Sequence, residues 1–268
     1  MTHKLSPMVL RVATWNVNSV TARTERLTGW LGTAKPDVLC LQELKTTDDA
    51  FPAEQIAELG YQAATWGTGR WNGVAILSRH DITDVQRGWP NLPDYEGVSE
   101  PRALTATCGG VRVTSVYVPN GRELGHAHFD YKLAWLDSLT ASVAEPARAD
   151  LPYAVLGDFN IAPTDADVWD MSLFTESTHV TPQERAKLAD LAGAGLTEVL
   201  PRALKYDKPY TYWDYRQLAF PKNNGMRIDL VFGNAAFAGK VTDAYVDREE
   251  RKGKGASDHA PVVVDLDL

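Results

Sequence analysis

Hydrophobic positions along the chain follow two alternating spacings. Mainly apolar, strand-like runs occupy residues 9–15, 38–41, 73–77, 153–156, 228–232 and 261–266, each too short for a stable helix, and they predict strands. Residues 103–108 and 111–118 flank Gly109-Gly110, a two-residue hairpin signal. Between the runs, Leu27, Trp30, Leu31 and Ala34 recur at helical spacing, as do Phe129, Leu133, Leu136 and Val143. Thr181-Pro182-Gln183-Glu184 predicts a helix start, with a hydroxyl cap, proline at the first helical position and glutamate closing a capping box. Leu188 and Leu191 follow on one face of that helix. Runs that are apolar on both faces need cover on each side. Hairpins mixed with long helices therefore predict α/β layers rather than a purely parallel, doubly wound sheet.

Composition narrows the classes. At 268 residues, with 44% hydrophobic and 23% charged positions, the chain can bury a large core without staples. No repeat or long linker interrupts it, so one domain over residues 1–268 is expected. A formal charge of −8 excludes a generally basic nucleic-acid coat but leaves room for a local basic patch. Cys40 and Cys108 are too few for a disulfide framework or a cysteine zinc site, and Cys40 reads as a small buried hydrophobe. No segment has the length of a membrane span and no charged-then-apolar leader opens the chain. A cytoplasmic protein without membrane contact is expected.

The ends of the apolar runs carry the chemistry. They deliver Asn16, Gln42-Glu43, Tyr117 with Asn120, Asp158 with Asn160, Asp229, and Asp258-His259. Taken singly, these residues read as turn formers and caps. Taken together, carboxylates gathered at the ends of buried strands repel one another unless a cation or ligand joins them. The set is rich in oxygen, holds one histidine and lacks thiol, which suits Mg²⁺ or Mn²⁺ better than zinc. His126 and His128 stand two apart at a helix start and read as surface or capping residues. Gly67, Gly69 and Gly73 are spaced one residue too widely for a dinucleotide fingerprint, and the P-loop, zincin and nucleophile-elbow patterns are missing. A carboxylate base, a metal and an imidazole remain, which together suit phosphodiester hydrolysis.

The substrate signal lies in residues 201–227. That stretch holds Arg202, Lys205, Lys208, Arg216, Lys222 and Arg227 against Asp207 and Asp214. Tyr206, Tyr210, Tyr212, Trp213, Tyr215 and Phe220 are interleaved with them. Basic groups hold phosphates and aromatic rings stack on bases, so nucleic-acid contact is expected here, although an aromatic hairpin packed on the core would share the pattern. Residues 248–254 are basic but include Glu249 and Glu250, and read as a solvated loop.

These motifs resemble the exonuclease III class of abasic-site endonucleases, within the endonuclease/exonuclease/phosphatase superfamily. The resemblance rests on Trp15-Asn16, Leu41-Gln42-Glu43, Trp71-Asn72-Gly73, Tyr117-Val118-Pro119-Asn120-Gly121, Gly157-Asp158-Phe159-Asn160, Tyr212-Trp213-Asp214-Tyr215-Arg216, Arg227-Ile228-Asp229 and Ser257-Asp258-His259, in family order over nearly the whole chain. It implies a four-layer α/β sandwich of two packed mixed sheets flanked by helices. It also implies Glu43 as the principal Mg²⁺ ligand, with Asn16, Asp258, Asp158 and Asn160 near the metal and Mn²⁺ as a substitute. Asp158 would activate water, Asn160 position it, His259 oriented by Asp229 contact the phosphate, and Tyr117 lie beside it. Tyr212, Trp213, Met226, Ile228, Arg216, Lys205 and Asn72 are the expected DNA contacts. The implied activity is Mg²⁺-dependent cleavage 5′ of abasic sites in double-stranded DNA, with trimming of 3′ ends, by a monomer acting in base excision repair. The alternative reading is a phosphatase or phosphodiesterase of the same superfamily acting on a lipid or small-molecule phosphate.

Overall fold

The computed structural model of the protein describes residues 9–268. Its strands are β1 (Val9–Asn16), β2 (Val38–Gln42), β3 (Gln62–Trp66), β4 (Val74–Ser78), β5 (Ile82–Arg87), β6 (Ala103–Cys108), β7 (Val111–Tyr117) and β8 (Tyr153–Asp158). The second half adds β9 (Thr197–Glu198), β10 (Arg202–Ala203), β11 (Asp229–Gly233), β12 (Val241–Val246) and β13 (Val262–Asp267). The principal helices are α1 (Thr24–Ala34), α2 (Ala53–Ala57), α3 (Ala127–Val143) and α4 (Pro182–Gly193). One sheet has seven strands in the order β10-β12-β13-β1-β2-β4-β3, and the other has six in the order β5-β6-β7-β8-β11-β9. Both are mixed: β1 and β2 run parallel, as do β7 and β8, while β1 and β13 run antiparallel.

Alternation along each strand builds the layers. Leu10, Val12, Cys40 and Ile76 of the first sheet meet Leu104, Val113, Leu156 and Val231 of the second in one apolar cluster between the sheets. Ala13, Trp15, Leu39 and Leu41 point the other way, onto Leu27, Trp30 and Leu31 of α1. Val116, Val155 and Phe232 of the second sheet cover Trp135, Leu136 and Leu139 of α3 and Leu188 and Leu191 of α4. The result is the expected helix–sheet–sheet–helix sandwich, and the two-sided apolar runs are its central strands. At Gly157 the two central strands of the second sheet approach closely: a Cβ there would lie 1.9 Å from the carbonyl oxygen of Val116.

The capping box forms as read, with the Glu184 amide donating to Thr181 Oγ1 and the Thr181 amide to Glu184 Oε2. His126 does cap α3, accepting the amide of His128. His128 itself departs from the surface-or-cap reading. It is buried against Tyr95 and Tyr131 and accepts the Gly121 amide at Nδ1. Strands β3, β5 and β12 are not legible from periodicity. The first two close sheet edges and are largely exposed, and β12 is only half-covered, so none needs a continuous apolar run. No helix among the described residues is long and apolar enough to cross a membrane.

Candidate active site

Strand register assembles the site. In the second sheet Tyr117 pairs with Asp158, and Asp158 pairs with Asp229, so three neighbouring strands set these side chains in a row. In the first sheet Asn16 ends β1 and Glu43 follows β2. His259 precedes β13, which lies beside β1. Two of these positions adopt left-handed backbone without being glycine, Glu43 with φ 59° and Asn160 with φ 51°. Such conformations are uncommon for residues other than glycine and gather at functional sites.

The hydrogen bonds are specific. Asp229 Oδ2 lies 2.8 Å from His259 Nδ1, and His259 Nε2 lies 3.8 Å from Asp158 Oδ2, an ion-pair distance. Asp158 accepts the Asn16 amide side chain on Oδ2 and the Asn160 backbone amide on Oδ1, both at 2.9 Å. Asn160 in turn donates to the carbonyl of Val118 and accepts from Asn120. Burial pushes the Asp158 carboxyl up to about 7, with His259 pulling it down and Asp229 pushing it up. Burial alone would depress His259, but Asp229 and then Asp158 outweigh it and raise the imidazole to about 10. The neighbouring carboxylates thus favour the protonated ring, while burial favours the neutral form of Asp158. The Tyr117 phenol is held well above its usual range by burial and then by Glu43, against Arg102, with Asp158 and Asp258 adding to the effect. Arg102 stacks over the Tyr117 ring at 4.8 Å and donates to its carbonyl.

Two groups of side chains compete as a metal site. Asp158, Asp229 and His259 bring ligand atoms within 4.8 Å of one another. Asp229, His259 and Asp158 form a chain through Nδ1 and Nε2 of the ring, and the same trio could hold a cation. The other group is all oxygen. Glu43 Oε1 and Asn18 Oδ1 both hold the Lys45 ammonium, at 2.9 and 2.6 Å, and Asn18 Nδ2 donates to Asp258 Oδ1. Oxygens that already gather one positive charge suit a hard divalent cation, for which Glu43 and Asp258 could serve as charged ligands.

The expected DNA contacts divide. Tyr212 lies beside His259, with ring centroids 5.0 Å apart, and bridges to Met226. Both line a cavity of about 370 Å³ together with Trp169, His179 and Arg216. Arg216 is exposed and ion-paired with Asp214. Trp213 and Ile228, by contrast, are buried, and little of either side chain is exposed for a duplex to meet. Trp213 packs on Phe220 and donates its indole N–H to Asn223, and Ile228 joins the cluster under Met226. Lys205 is exposed over Tyr206, outside the cavity lining. Asn72 is buried, its carbonyl accepting the Lys45 amide behind Glu43.

The basic segment is less basic than its composition, since Arg227 is buried between Asp167 and Glu198 and Arg202 pairs with Asp243. Residues 248–254 are also more than a solvated loop. Arg248 and Arg251 are buried, and their guanidinium groups stack on Tyr206, Trp213, Tyr215 and Phe220. Sequence reasoning missed His179, which has φ 79°, a buried Nδ1 without a partner, and Nε2 at 3.4 Å from Asn120. Its one local signal is its place just ahead of the capping box. A larger cavity of about 600 Å³ lies beneath Trp89 and Arg112 and holds none of the residues above.

A histidine held between two buried aspartates, with an oxygen cluster at the end of two stacked sheets, defines an enzyme of the four-layer α/β sandwich class. The chain belongs to the Endonuclease/Exonuclease/phosphatase family, whose model matches residues 13–259. It is 29% identical to exodeoxyribonuclease III of Haemophilus influenzae, over 94% of this chain and 98% of that protein. The structure of the 3′ phosphatase NExo from Neisseria, bound to a product DNA hairpin, is similar at a TM-score of 0.90 and 39% identity, covering 97% of this chain and 100% of that one. An AP endonuclease from Archaeoglobus fulgidus is similar at a TM-score of 0.89 and 31% identity, with the same coverage.

Proposed function

We propose that the protein is a Mg²⁺-dependent DNA-repair phosphoesterase that processes 3′ ends and cleaves the backbone 5′ of abasic sites. The observation that carries this reading is the row Tyr117–Asp158–Asp229 with His259 beside it, facing the Glu43–Asp258 oxygen cluster. Glu43 and Asp258, with Asn16 adjoining, would hold Mg²⁺, which would supply Lewis-acid stabilisation of the phosphoryl oxygen. Asp158 takes the proton of the attacking water, which Asn160 helps to orient. The His259 imidazolium, fixed by Asp229, donates to the phosphate as charge builds on it. Tyr212, Met226 and Arg216 border the cavity that receives the sugar at the cut, and Lys205 holds backbone phosphate further out. Similarity to nucleases and to a 3′ phosphatase supports DNA over a lipid or small-molecule phosphate.

The test uses three end-labelled duplexes, carrying an internal abasic site, a 3′-phosphate or a recessed 3′-hydroxyl. Each is incubated with Mg²⁺, with Mn²⁺ or with EDTA. Metal-dependent product on the first two supports the reading. Inertness on all three, with turnover of a small phosphate ester, would replace it with the small-molecule alternative.

A further inference from the structure

Lys132 of α3 is wholly buried, and its ammonium spends all three N–H bonds inside the protein. It donates to the carbonyl of Asn160 at 2.7 Å, to the carbonyl of Asn120 at 3.2 Å and to Glu184 Oε1. Glu184 is equally buried, and its acceptors are equally committed. Oε1 also takes the His179 amide, and Oε2 takes the amide and hydroxyl of Thr181. One ion pair therefore ties together the loop after β7, the loop after β8 and the turn into α4.

Removing two charges from water is a poor way to gain stability, since well-packed apolar residues of the same volume commonly do as well or better. Its distinguishing product is direction. Two of the three acceptors are main-chain carbonyls, and one belongs to Asn160, whose backbone is left-handed. That backbone aims the Asn160 amide at Asp158 Oδ1 and its side chain at the Val118 carbonyl. We infer that the Lys132–Glu184 pair is a positioning device that holds the Asn160 peptide, and through it the Asp158 carboxylate, in reacting geometry from behind the site. The inference rests on the reading of Asp158 and Asn160 as the residues that bind the attacking water. Lys132 touches no substrate. It acts through the two loops.

The experiment uses Lys132→Met/Glu184→Gln, which removes both charges together and leaves no lone buried ion. With the Asn160 carbonyl freed, kcat on 3′-phosphate duplex falls by roughly 10²-fold, the cost of a misplacement near 1 Å. KM and the melting temperature stay near wild type. Lys132→Gln/Glu184→Gln, which keeps one amide donor for a carbonyl, recovers part of the rate and serves as the folded substitute if the first variant is unstable. A merely structural pair predicts the reverse, a lowered melting temperature with unchanged kcat per folded molecule, and that result overturns the inference. A crystal structure of either double variant decides independently of activity. Asn160 leaving the left-handed region supports the device, and an unmoved Asn160–Asp158 bond refutes it. Wild-type inertness on DNA would instead count against the proposed function, with the crystal structure still judging the pair.

Discussion

Asp158 divides its two oxygens between Asn16 from one sheet and Asn160 from its own loop, with the His259 ring close by. Replacing it with asparagine keeps the shape and removes the proposed base. Asp158→Asn is expected to lower turnover by about 10²–10⁴-fold while duplex binding, measured by anisotropy, stays the same or tightens. Near-normal turnover would reassign the base. Glu43 makes a separate case, because its carboxylate is paired with Lys45. Glu43→Ala should leave the melting curve intact and cut cleavage by orders of magnitude at low Mg²⁺, with partial recovery as Mg²⁺ is raised. Full activity at low Mg²⁺ would move the metal elsewhere. These acids are legible in the sequence because each ends an apolar run, where a charge is conspicuous. Lys132 and Glu184 are not legible as a pair, because they are 52 positions apart and Glu184 already has a use in the capping box.

Among the elements, the central strands and long helices can be read from periodicity because both of their faces, or one whole stripe, are buried. The edge strands cannot, since exposure relaxes the pattern. The aromatic segment misleads for a related reason: rings that stack on bases and rings that fill a core look alike in sequence. Trp213 shows the difference, and Trp213→Ala should destabilise the fold by about 3–5 kcal/mol, seen in urea melts, rather than alter lesion choice in the folded fraction. A folded variant with selectively weakened DNA engagement would return Trp213 to the interface. The start of α3 carries a pH response. Burial, then Arg102 and Arg122, lower the His128 imidazole to about 4, and its Nδ1 must stay unprotonated to accept the Gly121 amide. Between pH 6.5 and 4 the unfolded chain takes up a proton that the folded chain refuses, so stability falls as pH drops through that window. His128→Asn, which keeps an acceptor without a proton site, should flatten this slope in melts between those values. An unchanged slope would place the acid sensitivity elsewhere.

Across the whole molecule, a net charge of −8 means that DNA must be drawn to a local surface. Ion pairing neutralises Arg202, Arg216 and Arg227, which leaves Lys205, Lys208 and Lys222 exposed on the segment. Replacing these three lysines with alanine should weaken abasic and intact duplexes alike. The slope of log affinity against log salt should become shallower by about 0.9 for each phosphate that is no longer neutralised. A variant with an unaltered salt slope would put the phosphate track on another face. The pairing of β1 with β13 has a different consequence, in time rather than in space. Arg11 and Asp265, bonded across these neighbouring strands, are 254 residues apart in the chain. During synthesis the first strand waits beside an open gap until the last one leaves the ribosome, and that late strand also brings His259. The centre of that sheet and the placement of His259 are therefore completed together, and a nascent chain stalled short of residue 259 has neither.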